Sequence, residues 1–166
     1  MKLKTVLLVS GLPGSGKTTW IKSRVEKDGG VWCSRDNVRF AMLNDSEAYF
    51  SHENDVFNEW IAQIRAALAD PQVENIYVDA THLNDRSRNK TLNKLPKDNI
   101  DKIINVVFAT PVEVCLERNA QRTGRARVPD EVILNMAKSF KAPTKYDTII
   151  INAEGEEDYG KSLGNI

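Results

Sequence analysis

From Val6 to Lys27 an apolar run, a glycine-rich loop and a helix-like segment follow one another without a break. The loop, Gly11-Leu12-Pro13-Gly14-Ser15-Gly16-Lys17-Thr18, fits G-x-x-x-x-G-K-[ST], and Thr19 follows it. A strand before such a loop and a helix after it form the setting a phosphate-binding loop needs. Gly11, Gly14 and Gly16 let the backbone take positive φ and come close to an anion with no Cβ in the way. The loop N–H groups then point inward, at the positive end of the following helix. Lys17 is placed to reach β- and γ-phosphates, and the Thr18 hydroxyl to bind Mg²⁺. Pro13, Ser15 and Thr19 complete the expected nucleotide-binding set. The run Thr5–Ser10 is apolar throughout rather than alternating, as in a strand buried on both faces of a parallel sheet.

The rest of the chain repeats that alternation. Thr18 to Lys27 reads as a helix closed by Asp28-Gly29-Gly30, and Val31-Trp32-Cys33-Ser34 as a short strand. A short helix is expected over residues 35–43. The clearest amphipathic helix runs from His52 to Ala69, with Phe57, Trp60, Ile61, Ile64 and Leu68 on one face; core packing, not base stacking, is the reading of its aromatics. Asn75–Ala80 and Ile103–Ala109 read as strands, and Asn84 as the cap of a helix reaching about Leu95. Thr110-Pro111 opens another helix, which Thr123-Gly124 breaks. Pro129-Asp130-Glu131 starts a last helix, and Tyr146–Asn152 holds a fifth strand. These lengths predict an α/β fold, a three-layer α/β/α sandwich with a five-stranded parallel sheet. Residues 1–152 are expected as one domain with a lid near 118–129, and 153–166 as a loosely held tail.

Composition narrows the partners. The 23 basic and 23 acidic residues cancel, so nucleic acid is not drawn by a global field and polyanion binding needs a local patch. Cys33 and Cys115 have no metal-ligand spacing and read as buried free thiols, which suits a reducing, cytoplasmic setting. The first apolar run is too short for a secretory leader, and no stretch nears the ~20 apolar residues of a membrane span.

Ligands of such sheets bind at the carboxyl ends of the strands, so the polar residues there matter most. Asp36 follows the second strand and can take the proton of an acceptor hydroxyl, or cap the helix that begins there. Arg35 and Arg39 flank it, and Arg39 is near enough to hold an acceptor phosphate. Asp79 ends the third strand, where a carboxylate can hold Mg²⁺ through water or fix an arginine. Between Arg118 and Arg127 lie four arginines, with Gly124 as a hinge. That pattern suits a lid closing over a triphosphate, with Arg118 and Arg122 on one helix face at i, i+4.

Together these residues resemble the kinase domain of the polynucleotide 5′-hydroxyl kinases, the bacteriophage type in particular, over residues 5 to about 152. The resemblance rests on the phosphate loop, Arg35-Asp36-Asn37-Val38-Arg39, Asp79-Ala80-Thr81-His82-Leu83, Arg118-Asn119-Ala120-Gln121-Arg122 and Val128-Pro129. It implies a P-loop kinase fold with an Arg-rich helical lid, ATP as phosphate donor, Mg²⁺, and a nucleic-acid 5′-hydroxyl end as acceptor, as in end repair. It also implies a bacterial or phage-infected cytoplasm. By the same resemblance Asp36 is the general base, Arg39 binds the phosphate after the acceptor nucleoside, and Arg122 stabilises the transferring group with Asp79 fixing it. Arg118 then lies against the nucleotide. His82 stands where that family usually has Asn. No D-x-D-x-T-like phosphatase motif occurs in the sequence, so the kinase half alone is expected.

Two alternatives share the nucleotide site. One is a kinase of a small molecule such as a nucleoside, sugar or antibiotic; the other is a non-catalytic nucleotide-binding adaptor. A guanine-reading switch has no support, since Asn93-Lys94-Leu95-Pro96 fails the last position of N-K-x-D.

Overall fold

The computed structural model describes residues 2–158. Its central strand, β1 (Thr5–Ser10), has every side chain after Thr5 buried, because helices cover both faces of the sheet. The strands β2 (Val31–Ser34), β3 (Asn75–Asp79), β4 (Lys102–Phe108) and β5 (Asp147–Ile151) join it in the order β2-β3-β1-β4-β5, all parallel. From β1 the chain passes to the edge strand β2, returns to β3 beside β1, and then crosses to β4 and β5 on the other side, which leaves a crevice above the carboxyl edge of the sheet.

The two-residue period of a strand sorts the core into two layers. Val6 and Leu8 of β1 and Ile76 and Val78 of β3 face α3 (Glu53–Ala69), whose Phe57, Trp60, Ile61, Ile64 and Leu68 fill that side. Leu7, Val9 and Tyr77 face the other way, onto Ile21, Trp20 and Val25 of α1 (Lys17–Asp28). Trp60 is fully buried and its indole N–H donates to the Cys33 carbonyl at 2.9 Å, tying α3 to β2. Truncation of such a residue to Ala costs about 3–5 kcal/mol.

Three further helices border the crevice: α2 (Arg35–Met42), α4 (Asp85–Leu92) and α5 (Val112–Ala120). The last helix, α6 (Asp130–Ser139), packs Ile133 against Cys115 and Leu12 in a smaller cluster beside the glycine loop. Asn84 caps α4 reciprocally with Ser87, and the helix stops at Leu92, short of the Leu95 expected. Both cysteines are free and buried; burial pushes the Cys33 thiol up to about 11 and raises Cys115 too, which keeps them unreactive.

The chain beyond β5 departs from the loose tail expected. Asn152 accepts from the Glu154 and Glu156 backbone N–H groups at 3.0 and 2.9 Å, and the Asp158 N–H reaches back to the Ile150 carbonyl at 2.8 Å. This turn folds residues 153–155 over the rim of the crevice. The remaining tail residues, 159–166, lie outside the described residues. Among the described residues, no helix is long and apolar enough to cross a membrane.

Candidate active site

The crevice encloses about 1090 Å³ and is lined from three directions: the glycine loop, the start of α2, and the segment that follows α5. Gly14 and Gly16 take φ of 80° and 100°, where a side chain is strained. A Cβ on Gly14 would also lie 2.6 Å from the Cys115 carbonyl oxygen, so the loop sits directly on the α5 backbone. Thr110 closes the loop from below, its hydroxyl donating to the Ser15 carbonyl at 2.7 Å. Lys17 donates to the Gly11 carbonyl at 2.8 Å, an interaction that uses one of its three N–H donors. Pro13, Thr18 and Thr19 line the same wall.

Three buried polar atoms of this crevice lack partners among the described residues: the Ser15 hydroxyl and Oδ1 of Asp79 beside the loop, and Nε of Arg35 across from it. Unsatisfied buried groups of this kind cost about 1–3 kcal/mol each unless a ligand meets them. Asp79 accepts from the Trp32 indole N–H at 3.0 Å through its other oxygen. Burial raises its pKa, while Lys17 and the Trp32 bond act in the opposite direction. The structure therefore does not bring Asp79 onto Arg122, the arginine it was expected to fix. The strand period explains why: Trp32, Tyr77 and Asp79 all face α1, and Ser34 is the register partner of Asp79.

A glycine cradle, Lys17, Thr18 and an orphaned carboxylate oxygen fit a nucleoside triphosphate with Mg²⁺. Among the described residues no cluster of three or more His, Cys, Asp or Glu could hold a metal alone. Thr18 and Asp79 would share the ion with phosphate oxygens, the usual arrangement for Mg²⁺.

Across the crevice, Ser34 caps α2 by accepting from the Asn37 N–H at 3.1 Å. Asp36 is thus not the cap; its carboxylate is released from the helix end and stands about half exposed. Its Oδ1 accepts from Arg39 and from the Tyr49 hydroxyl, the latter at 2.5 Å. Oδ2 has no partner among the described residues. Arg39 is nearly buried, at 4% exposure, and is held on every side: by Asp36, by Tyr49 at 2.8 Å, and by Glu53 through Nε at 2.9 Å and Nη2 at 2.8 Å. Arg35 reaches Glu53 through one nitrogen only, at 3.1 Å, and lies over the Phe57 and Trp60 rings. Burial lowers its pKa, and Glu53 works against that shift.

His82 occupies its position for a backbone reason. Its φ of 42° lies in the left-handed region, which Asn and His enter more readily than most residues. Nδ1 bonds the Val9 carbonyl at 2.6 Å, so that nitrogen carries the proton and Nε2 accepts from Thr91 at 3.1 Å. Burial pushes its pKa down to about 3, so the ring is neutral. It supports the loop after β3 and offers no proton to the crevice.

The segment expected as a lid is tethered at three points. Arg118 donates to the Gly14 carbonyl at 3.4 Å and to the Ala153 carbonyl at 2.6 Å. The buried Asn119 side chain pairs with both backbone groups of Val128, at 2.5 and 3.0 Å, and pins the base of the loop. Arg125 reaches across to the Leu43 and Phe40 carbonyls at 2.7 and 3.3 Å, at the end of α2. Arg122 lines the crevice; its backbone N–H donates to the Asn119 carbonyl at 3.0 Å, while its side chain has no hydrogen bond or ion pair among the described residues. It lies two residues past the end of α5, so it does not share a helix face with Arg118 as expected.

Sequence reasoning missed Trp32, Tyr49, Glu53 and Asn119. Trp32 had a usable signal, its parity with Ser34 on a short strand. Glu53 had none, because an acidic first turn is ordinary helix chemistry.

A family model described as an AAA domain matches residues 6–143. The chain belongs to this family. Within it the fold is that of the P-loop kinases. A gluconokinase from Sinorhizobium meliloti 1021 superposes with a TM-score of 0.61 at 18% identity, over 100% of this chain and 89% of that one. A chain of the Pnkp1/Rnl/Hen1 RNA repair complex gives 0.68 at 24% identity, over 84% of this chain and 44% of that one. A fungal RNA kinase gives 0.62 at 13% identity, over 98% and 79%. The solved structures of similar fold thus include an RNA kinase, a chain of an RNA repair complex and a gluconokinase.

Proposed function

We propose that this protein transfers the γ-phosphoryl group of ATP to the 5′-hydroxyl end of a polynucleotide. The observation that supports this reading is a half-exposed carboxylate flanked by two arginines, facing a glycine cradle across one crevice. Asp36 Oδ2 accepts the proton of the acceptor hydroxyl as its oxygen bonds to the γ-phosphorus and the bond to the β-bridging oxygen breaks. Arg39 and Tyr49 hold Oδ1 and so aim Oδ2 at the acceptor. Thr18 and Asp79 would hold Mg²⁺, which, when bound, would supply charge neutralisation to the triphosphate. Lys17 holds those oxygens from the loop, and the free guanidinium of Arg122 meets the transferring group from the lid. Arg118 borders the nucleotide. Arg35 keeps more free N–H donors than Arg39, so the acceptor phosphate is shared between them, with Arg39 anchoring the pair.

A small-molecule acceptor remains the second reading, favoured by the near-complete overlap in length with the gluconokinase. Labelled-phosphate transfer from ATP distinguishes the two. The panel comprises 5′-hydroxyl DNA and RNA, nucleoside 3′-phosphates, free nucleosides and gluconate. Labelling of the oligonucleotides and not of gluconate or nucleosides is expected; the reverse pattern overturns the proposal.

A further inference from the structure

Between α2 and α3 the chain carries two adjacent aromatic residues, Tyr49 and Phe50, and the catalytic proposal uses only the Tyr49 hydroxyl. Phe50 is 55% exposed although it lies on the wall of the same crevice as Asp36. Its neighbours hold it there. The Phe50 and Tyr49 rings meet edge to face at 4.6 Å, and Tyr49 meets Phe40 in the same manner at 6.2 Å. The Arg39 guanidinium lies 4.1 Å from the centre of the Tyr49 ring and 5.9 Å from that of Phe50. Since the Tyr49 hydroxyl is also fixed on Asp36, the aromatic pair is locked to the general base rather than to the surface at large. Burial, and the Asp36 carboxylate beside it, push the Tyr49 pKa up, so the hydroxyl stays protonated and the tie persists.

An open aromatic face beside the base, backed by a cation, is what an unstacked heterocycle requires: π-stacking is indifferent to which base arrives. We infer that Phe50, set by Tyr49, is the seat of the acceptor's terminal nucleobase, which binds on this ring outside the helical stack and so raises the acceptor's affinity. The inference rests on the polynucleotide reading and adds to it the side chain that holds the acceptor's terminal base.

Steady-state kinetics test this with two acceptors: a single-stranded 5′-hydroxyl oligonucleotide and the same oligonucleotide with an abasic 5′-terminal residue. Phe50→Ala should raise KM for the first about 5- to 150-fold, the size of one base–aromatic stack, and leave kcat and the KM for ATP unchanged. Phe50→Trp should retain the wild-type KM, whereas Phe50→Leu, apolar but without a π-face, should not. The wild-type protein should bind the abasic acceptor as weakly as Phe50→Ala binds the normal one, and Phe50→Ala should make no further difference there. Equal KM for Phe50→Ala and wild type, or an equal rise on abasic and base-bearing ends, overturns the platform alone. Failure of the wild-type protein to label any oligonucleotide overturns the polynucleotide reading itself.

Discussion

Gly11 to Thr18 and Ser34 to Glu53 form opposite walls of one crevice but are built in different ways. On the glycine side the main chain does the work: two left-handed glycines and one close approach to the backbone of α5. On the Asp36 side the main chain is ordinary helix and loop. The proposed acceptor surface there consists of side chains, Asp36, Arg39, Tyr49 and Glu53, that determine one another's positions. A backbone site tolerates no extra atom. A side-chain site tolerates extra atoms, yet loses function when one charge goes.

Substitution on each wall should expose that difference. The largest effect is expected for Asp36→Ala, which should lower kcat by about 10²–10⁴-fold and leave ATP affinity unchanged in equilibrium titration. Gly14→Ala should do the opposite. A Cβ there meets a carbonyl that cannot withdraw, and the left-handed backbone costs an alanine about 1–2 kcal/mol, so ATP affinity should fall roughly tenfold or more. Normal ATP binding by Gly14→Ala would remove the contrast between the two walls.

Next in size is Glu53→Gln. It leaves two arginines without their shared counter-charge, and Arg39 is nearly buried. Breaking a fully buried pair costs about 3–5 kcal/mol; Glu53 is partly exposed, so about 1–3 kcal/mol in urea denaturation is expected, with weaker acceptor binding.

His82→Asn sharpens the comparison through pH. The folded pKa of His82 is about 3 and its ordinary value 6.5, so between them the unfolded chain binds a proton that the folded one refuses. The stability from neutral His82 is complete above about pH 6.5 and is lost as pH falls, at about 1.4 kcal/mol per pH unit. Asp79 has the opposite sign, since burial raises its pKa and the folded state takes up its proton first. Urea midpoints of His82→Asn across this window should lose the His82 slope and show only that of the remaining groups. An unchanged slope would assign the acid sensitivity elsewhere. The smallest effect should come from Arg125→Ala, about 0.5–1.5 kcal/mol in the same assay, through two lost bonds to carbonyls.

The same contrast explains what could be read from the sequence. The glycine loop, the doubly buried β1 and the α3 stripe were legible because their signals are local and periodic. Asp36 and Arg39 were legible as residue types at a strand end, but their partners were not. Tyr49 and Glu53 lie on a different segment, joined to them only by folding. Trp32 could have been paired with Asp79 had strand parity been followed across the sheet. Arg122 was placed on a helix by its spacing, whereas Asn119 turns the chain toward Val128 and ends α5 first. The turn at Asn152 depends on side-chain to backbone bonds that a Gly- and Glu-rich stretch does not advertise.

The grip of Arg125 on the last carbonyls of α2 has a thermodynamic consequence. It joins the segment that touches the glycine loop to the helix that carries Asp36, so a shift of either is felt by the other. Linkage then requires reciprocity: whatever factor ATP contributes to acceptor affinity, the acceptor must return to ATP. Titrating each ligand with and without the other should give two equal factors in the wild-type protein, and in Arg125→Ala both should shrink together toward one.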